Sequence, residues 1–108
     1  MANIFNFFVS LFKKKFPPET IKVELKGTAA TFNITYKIKN KKPIQNPEVK
    51  SGWTNSFKVK TGDYYYFSAQ ANSRNATVQL TTFYNGEVIK ENSKTGDYPL
   101  TTVSSTLE

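Results

Sequence analysis

The chain has 108 residues and a formal net charge of +7, from 15 basic and 8 acidic residues. This length suits one domain with one modest hydrophobic core. Cysteine and histidine are both absent, which excludes disulfides, thiolate or imidazole metal sites, cysteine nucleophiles and hydrolases of the Ser-His-Asp type. The acidic residues show no catalytic spacing, and the glycines form no phosphate-binding loop. We therefore expect no enzymatic activity, no metal site and no cofactor.

The positive charge lies in the first half of the chain. Residues 1–60 hold twelve lysines and three acidic residues, whereas residues 61–108 hold three basic and five acidic residues. Such a surface favours the phosphates of anionic lipid or of nucleic acid, although a solvated face that keeps the protein soluble is the ordinary alternative. Nearly all the basic residues are lysines, which argues against sequence-specific reading of nucleic acid because arginine is the usual choice there.

Residues 1–16 form an apolar segment that ends on three lysines. As a helix, residues 4–12 would be about 14 Å long, roughly half the thickness of a bilayer core, and so could not span it. The lysines follow the apolar stretch and no small-residue cleavage pattern appears, which argues against a cleavable secretory signal. Two hypotheses remain: a helix in the membrane interface, or a helix that packs on the domain or on a partner chain. The tether residues would be Phe5, Phe8, Leu11, Phe12, Lys13, Lys14 and Lys15.

The rest of the chain predicts β-strands. Two prolines end the helix, so that residues 17–19 are a linker. Apolar and polar residues alternate over residues 20–26 and, more strongly, over residues 31–39. The polar, proline-containing residues 40–47 predict a loop, with a short edge strand near Val49. β-prone composition predicts the remaining strands at residues 53–60, 64–71, 76–84, 87–91 and 100–107.

About seven strands without intervening helices predict an all-β fold. We expect an antiparallel, immunoglobulin-like β-sandwich over residues 20–107, preceded by a short N-terminal helix. A small closed barrel of the kind that binds single-stranded nucleic acid is the alternative. Asn85-Gly86 is a two-residue hairpin signal. The sequence of residues 60–64 recurs at residues 94–98, which we interpret as two turns of similar chemistry rather than a repeat.

An aromatic run gives the candidate ligand surface. Alternation along residues 64–71 places Tyr65 and Phe67 in the core and Tyr64 and Tyr66 on the opposite face. Exposed tyrosines near lysines could stack on nucleobases or sugars, or contact a protein, although tyrosine also favours strands for structural reasons alone. The candidate residues are Trp53, Lys58, Lys60, Tyr64 and Tyr66.

Short motifs over residues 20–107 follow one another in a distinctive order. They are Lys26-Gly27-Thr28-Ala29, Ile34-Thr35-Tyr36, Gly52-Trp53, Ser68-Ala69-Gln70, Asn85-Gly86-Glu87-Val88 and Thr101-Thr102-Val103-Ser104. In order and rough spacing they resemble the bacterial MmpS-type β-sandwich domain. Members of that family are anchored by an N-terminal transmembrane helix, lie outside the cytoplasm and assist large exporters of lipids or small molecules. The resemblance implies a non-enzymatic accessory or binding role.

Together the sequence pattern and the resemblance favour a membrane-associated or surface accessory or binding domain, with a location at a membrane or outside the cytoplasm. The expected partner is a protein or an anionic membrane surface, with self-association through residues 1–16 as a further alternative. The competing function is that of a single-stranded nucleic-acid binder.

Overall fold

The structure is a computed structural model that describes residues 19–107. These residues form eight β-strands and no helix. The strands are β1 (Thr20–Gly27), β2 (Phe32–Ile38), β3 (Ile44–Val49), β4 (Thr54–Lys58), β5 (Tyr64–Ala71), β6 (Ala76–Tyr84), β7 (Glu87–Gly96) and β8 (Leu100–Thr106). The predicted N-terminal helix and all seven predicted tether residues lie outside the described residues.

Two four-stranded antiparallel sheets give a sandwich-like fold, so the predicted all-β class is confirmed. The strand order is β4-β1-β6-β7 in the first sheet and β3-β2-β5-β8 in the second. The four inner strands are β1, β2, β5 and β6. They carry most of the core because one face of each strand is apolar and points toward the other sheet. In β1, for example, Ile21, Val23 and Leu25 are all fully buried. The predicted core residues Tyr65 and Phe67 are likewise buried.

Two of the four edge strands, β3 and β7, differ from the sequence-based expectation. Residues 44–49 form β3, where the sequence predicts mostly loop, and β7 continues to Gly96 rather than ending at Glu91. β3 pairs with β2 through an irregular register, and Glu48 has a φ of 58°. An edge strand can hold proline and a bulge because one side of its backbone needs no partner strand.

The two copies of the Lys-Thr-Gly-Asp-Tyr sequence do not form similar turns. In the first copy, the Asp63 carboxylate accepts a hydrogen bond from the Lys60 amide at 2.9 Å and closes the turn between β4 and β5. In the second copy, Gly96 ends β7, and the Asp97 carboxylate accepts from the distant Asn75 amide at 3.0 Å. The predicted likeness therefore holds for the glycines, since Gly62 and Gly96 both have positive φ, and is wrong for Asp97, which bonds a distant part of the backbone.

Candidate functional site

A cleft of about 410 Å³ lies at one end of the described domain, between the edge strands β3 and β4. Its size falls within the range of small-molecule sites. Its lining combines apolar and aromatic side chains with four lysines, and no acidic residue of the described chain lines it. The lining residues are Tyr36, Ile38, Lys39, Lys41, Lys42, Ile44, Ser56, Phe57 and Lys58.

The floor of the cleft is aromatic because β2 and β4 both turn a ring inward there. The rings of Tyr36 and Phe57 lie 5.1 Å apart between centroids, and the ring of Tyr36 lies 6.0 Å from that of Phe67 in the core. Tyr36 is only 6% exposed. Within the described chain its hydroxyl has no hydrogen-bond partner, yet that oxygen is not sealed from solvent. A tyrosine hydroxyl in such a position is available to a ligand.

The lysines surround this floor because the chain turns sharply after β2. Lys39 has a φ of 61°, and its amide donates to the Tyr64 carbonyl at 2.8 Å. The Lys39 ammonium lies 3.7 Å from the Asp63 carboxylate. Lys41, Lys42 and Lys58 are exposed and form no ion pair with other described residues. Three free ammonium groups beside an apolar floor make the cleft attractive to an anion that carries an apolar part.

The structure places the five residues of the predicted ligand surface in separate parts of the domain. Trp53 is half-buried at the inner side of β4, with its ring centroid 6.3 Å from that of Tyr36. Tyr64 and Tyr66 lie instead on the outer face of the second sheet, where Tyr66 is opposite Lys37 of β2. Trp53 is therefore not part of one surface with the two tyrosines.

The two predicted lysines also separate. Lys58 lines the cleft, whereas Lys60 lies in the turn between β4 and β5 and does not line it. Sequence reasoning missed the cleft because it treated residues 31–39 only as an alternating strand and residues 40–47, with Lys41 and Lys42, only as a polar loop. The one available signal was the density of lysines over residues 37–42.

The first described residues are fixed beside the cleft. Thr20 lies opposite Lys58 in the pairing of β1 with β4. The Val59 amide donates to the Glu19 carbonyl at 3.0 Å, and the Glu19 carboxylate accepts from the Thr61 amide at 3.0 Å and from the Tyr84 hydroxyl. The hydrogen bond to Glu19 raises the pKa of Tyr84, with partial burial as a second cause. Glu19 and Thr20, the first described residues, therefore lie at the cleft end of the domain.

Comparison with protein-family models and with curated protein sequences finds no match to this chain. The described residues contain no helix with the length and apolarity to cross a bilayer. Residues 19–107 also bring no three acidic, histidine or cysteine side chains together as a metal site.

Proposed function

We propose that this protein is a non-enzymatic binding domain held at an anionic membrane surface, with its cleft end turned toward that surface. One observation carries the proposal: the register of β1 with β4 places Thr20 beside Lys58. Residues 13–15, all lysine, precede Thr20 closely in the sequence. The three lysines of the sequence therefore precede a strand, β1, whose first residue lies at the cleft end of the domain.

The proposal includes the finer features that the sequence predicts. These are an immunoglobulin-like arrangement of the sandwich, a short interfacial helix within residues 1–16, a location outside the cytoplasm and an accessory role like that of MmpS-type domains. The two antiparallel sheets support the first feature, since immunoglobulin-like domains also consist of two packed antiparallel sheets. The Phe-rich segment followed by lysines supports the second.

Both parts of this surface are needed for stable membrane binding. A short apolar helix alone anchors weakly, and stable attachment usually takes a second signal such as a basic patch. Each lysine near an anionic bilayer contributes about 1 kcal/mol, within a screening length of about 10 Å at 0.1 M salt. Lysines on the cleft end would therefore add to those of the tether only if both face the same surface.

The first test measures co-sedimentation of the full chain with vesicles. We expect binding to vesicles that contain phosphatidylglycerol, weak binding to pure phosphatidylcholine vesicles, and loss of binding as salt rises. Two triple changes should each weaken binding at least about tenfold: lysine to glutamine at Lys13, Lys14 and Lys15, or at Lys41, Lys42 and Lys58.

The matched control replaces three lysines at the opposite end of the sandwich. At that end, Lys26 lies in the last part of β1 and Lys94 in the last part of β7, and both strands pair there with the first part of β6. Lys50 precedes the turn whose backbone bonds to Leu25. Changing Lys26, Lys50 and Lys94 to glutamine removes the same charge and should leave vesicle binding nearly unchanged. Equal losses in control and test variants would show that only net charge matters, and the proposed orientation would be wrong.

Single-stranded nucleic-acid binding is a second candidate, favoured by the outer face of the second sheet. Tyr66 is opposite Lys37 on that face. Tyr64 is 41% exposed, and its carbonyl accepts a hydrogen bond from the Lys39 amide. Base stacking on such a tyrosine is worth about 1–3 kcal/mol. We expect Tyr66→Ala to weaken oligothymidine binding about tenfold, with a steep salt dependence, whereas Tyr98→Ala, at an exposed tyrosine elsewhere, should not. Absent or salt-insensitive binding of the intact chain would remove this candidate.

A further inference from the structure

We infer that the cleft between β3 and β4 binds the phosphate headgroup of a single anionic lipid. This inference rests on the proposed function, because it names the ligand class for the same end of the molecule. The proposed function alone requires only attraction between the basic end of the protein and an anionic bilayer. The inference adds a binding site with defined residues.

The chemistry of the cleft distinguishes such a site from a general basic patch. A lysine patch on an ordinary surface attracts anions without holding them in one position. Here Lys41, Lys42 and Lys58 surround a floor formed by the rings of Tyr36 and Phe57. A phosphate can contact the ammonium groups while the glycerol and first acyl carbons lie on the apolar floor.

Two further observations favour an amphiphile over a purely hydrophilic anion. Ile44 lines the cleft next to the lysines and is 48% exposed. An exposed isoleucine among lysines suits contact with the boundary between headgroups and acyl chains. The Tyr36 hydroxyl has no partner among the described residues, so it can donate to a phosphate or ester oxygen of the lipid.

The test uses monomeric lipid, so that binding to the cleft is measured without a membrane. Dihexanoyl phosphatidylglycerol, below its micelle concentration, is titrated into the full chain. Calorimetry measures the affinity. The fluorescence of Trp53, the single tryptophan, reports from beside Tyr36. We expect saturable binding of one lipid per chain, with weaker binding of dihexanoyl phosphatidylcholine and of glycerol 3-phosphate.

Variants locate the site. Changing Lys41 and Lys42 to glutamine should weaken lipid binding at least about tenfold. Tyr36→Phe, which removes one hydroxyl without opening a cavity, should weaken it a few-fold. Changing Lys26 and Lys50 to glutamine should leave the affinity unchanged, and circular dichroism checks that every variant keeps its fold.

The outcomes separate this inference from the proposed function. Vesicle binding without saturable binding of monomeric lipid would overturn the cleft site and leave the membrane proposal standing. If the chain bound monomeric lipid saturably but did not bind vesicles, the result would support the lipid site in the cleft and overturn the membrane proposal. Glycerol 3-phosphate binding as tightly as the lipid would show a site for free phosphate esters, and lipid would be the wrong ligand.

Discussion

At the scale of single residues, Gly27 shows how closely the first sheet is packed. A Cβ atom at Gly27 would lie 2.2 Å from the Thr77 carbonyl oxygen and 2.7 Å from the Phe32 ring. Because the oxygen belongs to the backbone of β6, alanine can fit only if the strands move apart. Overpacking usually costs about 1–3 kcal/mol, and we expect Gly27→Ala to lower the free energy of unfolding by about 3 kcal/mol. Urea denaturation measures the change.

Gly52→Ala is the control for this prediction. Gly52 has a φ of +96° and no atom within 4 Å of an added Cβ, so alanine there meets backbone strain without crowding. That strain should cost about 1–2 kcal/mol. If Gly27→Ala proved no more destabilising than Gly52→Ala, crowding by Thr77 and Phe32 would not determine the cost of a side chain at position 27, and the prediction would be wrong.

At the scale of strands, the sequence predicts the four inner strands and the edge strands β4 and β8 well, but the edge strands β3 and β7 poorly. β1 and β2 match their predicted ranges to within one residue because each buries one face, which leaves an alternating pattern in the sequence. β5 and β6 match the ranges that β-prone composition predicts. β7 is exposed along nearly its whole length, so its later residues carry no alternation. β3 contains Pro47 and a residue with positive φ, and both features are typical of loops.

The cleft depends on one of these poorly predicted strands, β3. Alternation correctly places Tyr64 and Tyr66 on one face of β5, since neighbouring residues of a strand point to opposite faces. It cannot show which sheet a strand joins. Trp53 precedes β4 in the first sheet, whereas the tyrosines belong to β5 in the second, and only the strand order reveals that separation. The meeting of β3 and β4 that forms the cleft follows from the same long-range pairing.

At the scale of the whole molecule, Glu19 ties three parts of the chain together at the cleft end. It contacts the turn after β4 through Val59 and Thr61, and the end of β6 through Tyr84. The neighbouring Asn85 amide donates to the Thr20 carbonyl at 3.0 Å. These bonds fix the direction in which the chain reaches β1. A tether can orient the domain at a surface only if this junction is firm.

Tyr84 makes the stability of the domain depend on alkaline pH. Its pKa is raised in the folded protein because its hydroxyl donates to the Glu19 carboxylate and is partly buried. In the unfolded chain the pKa of tyrosine is about 10, so the unfolded state loses the tyrosine proton at a lower pH than the folded state does. The stabilisation is therefore complete below pH of about 10 and is lost as pH rises through the higher folded pKa. Urea denaturation from pH 8 upward should show this decline in the native chain and in Tyr98→Phe, but a smaller one in Tyr84→Phe. The same decline in all three proteins would mean that the bond between Tyr84 and Glu19 does not hold the junction.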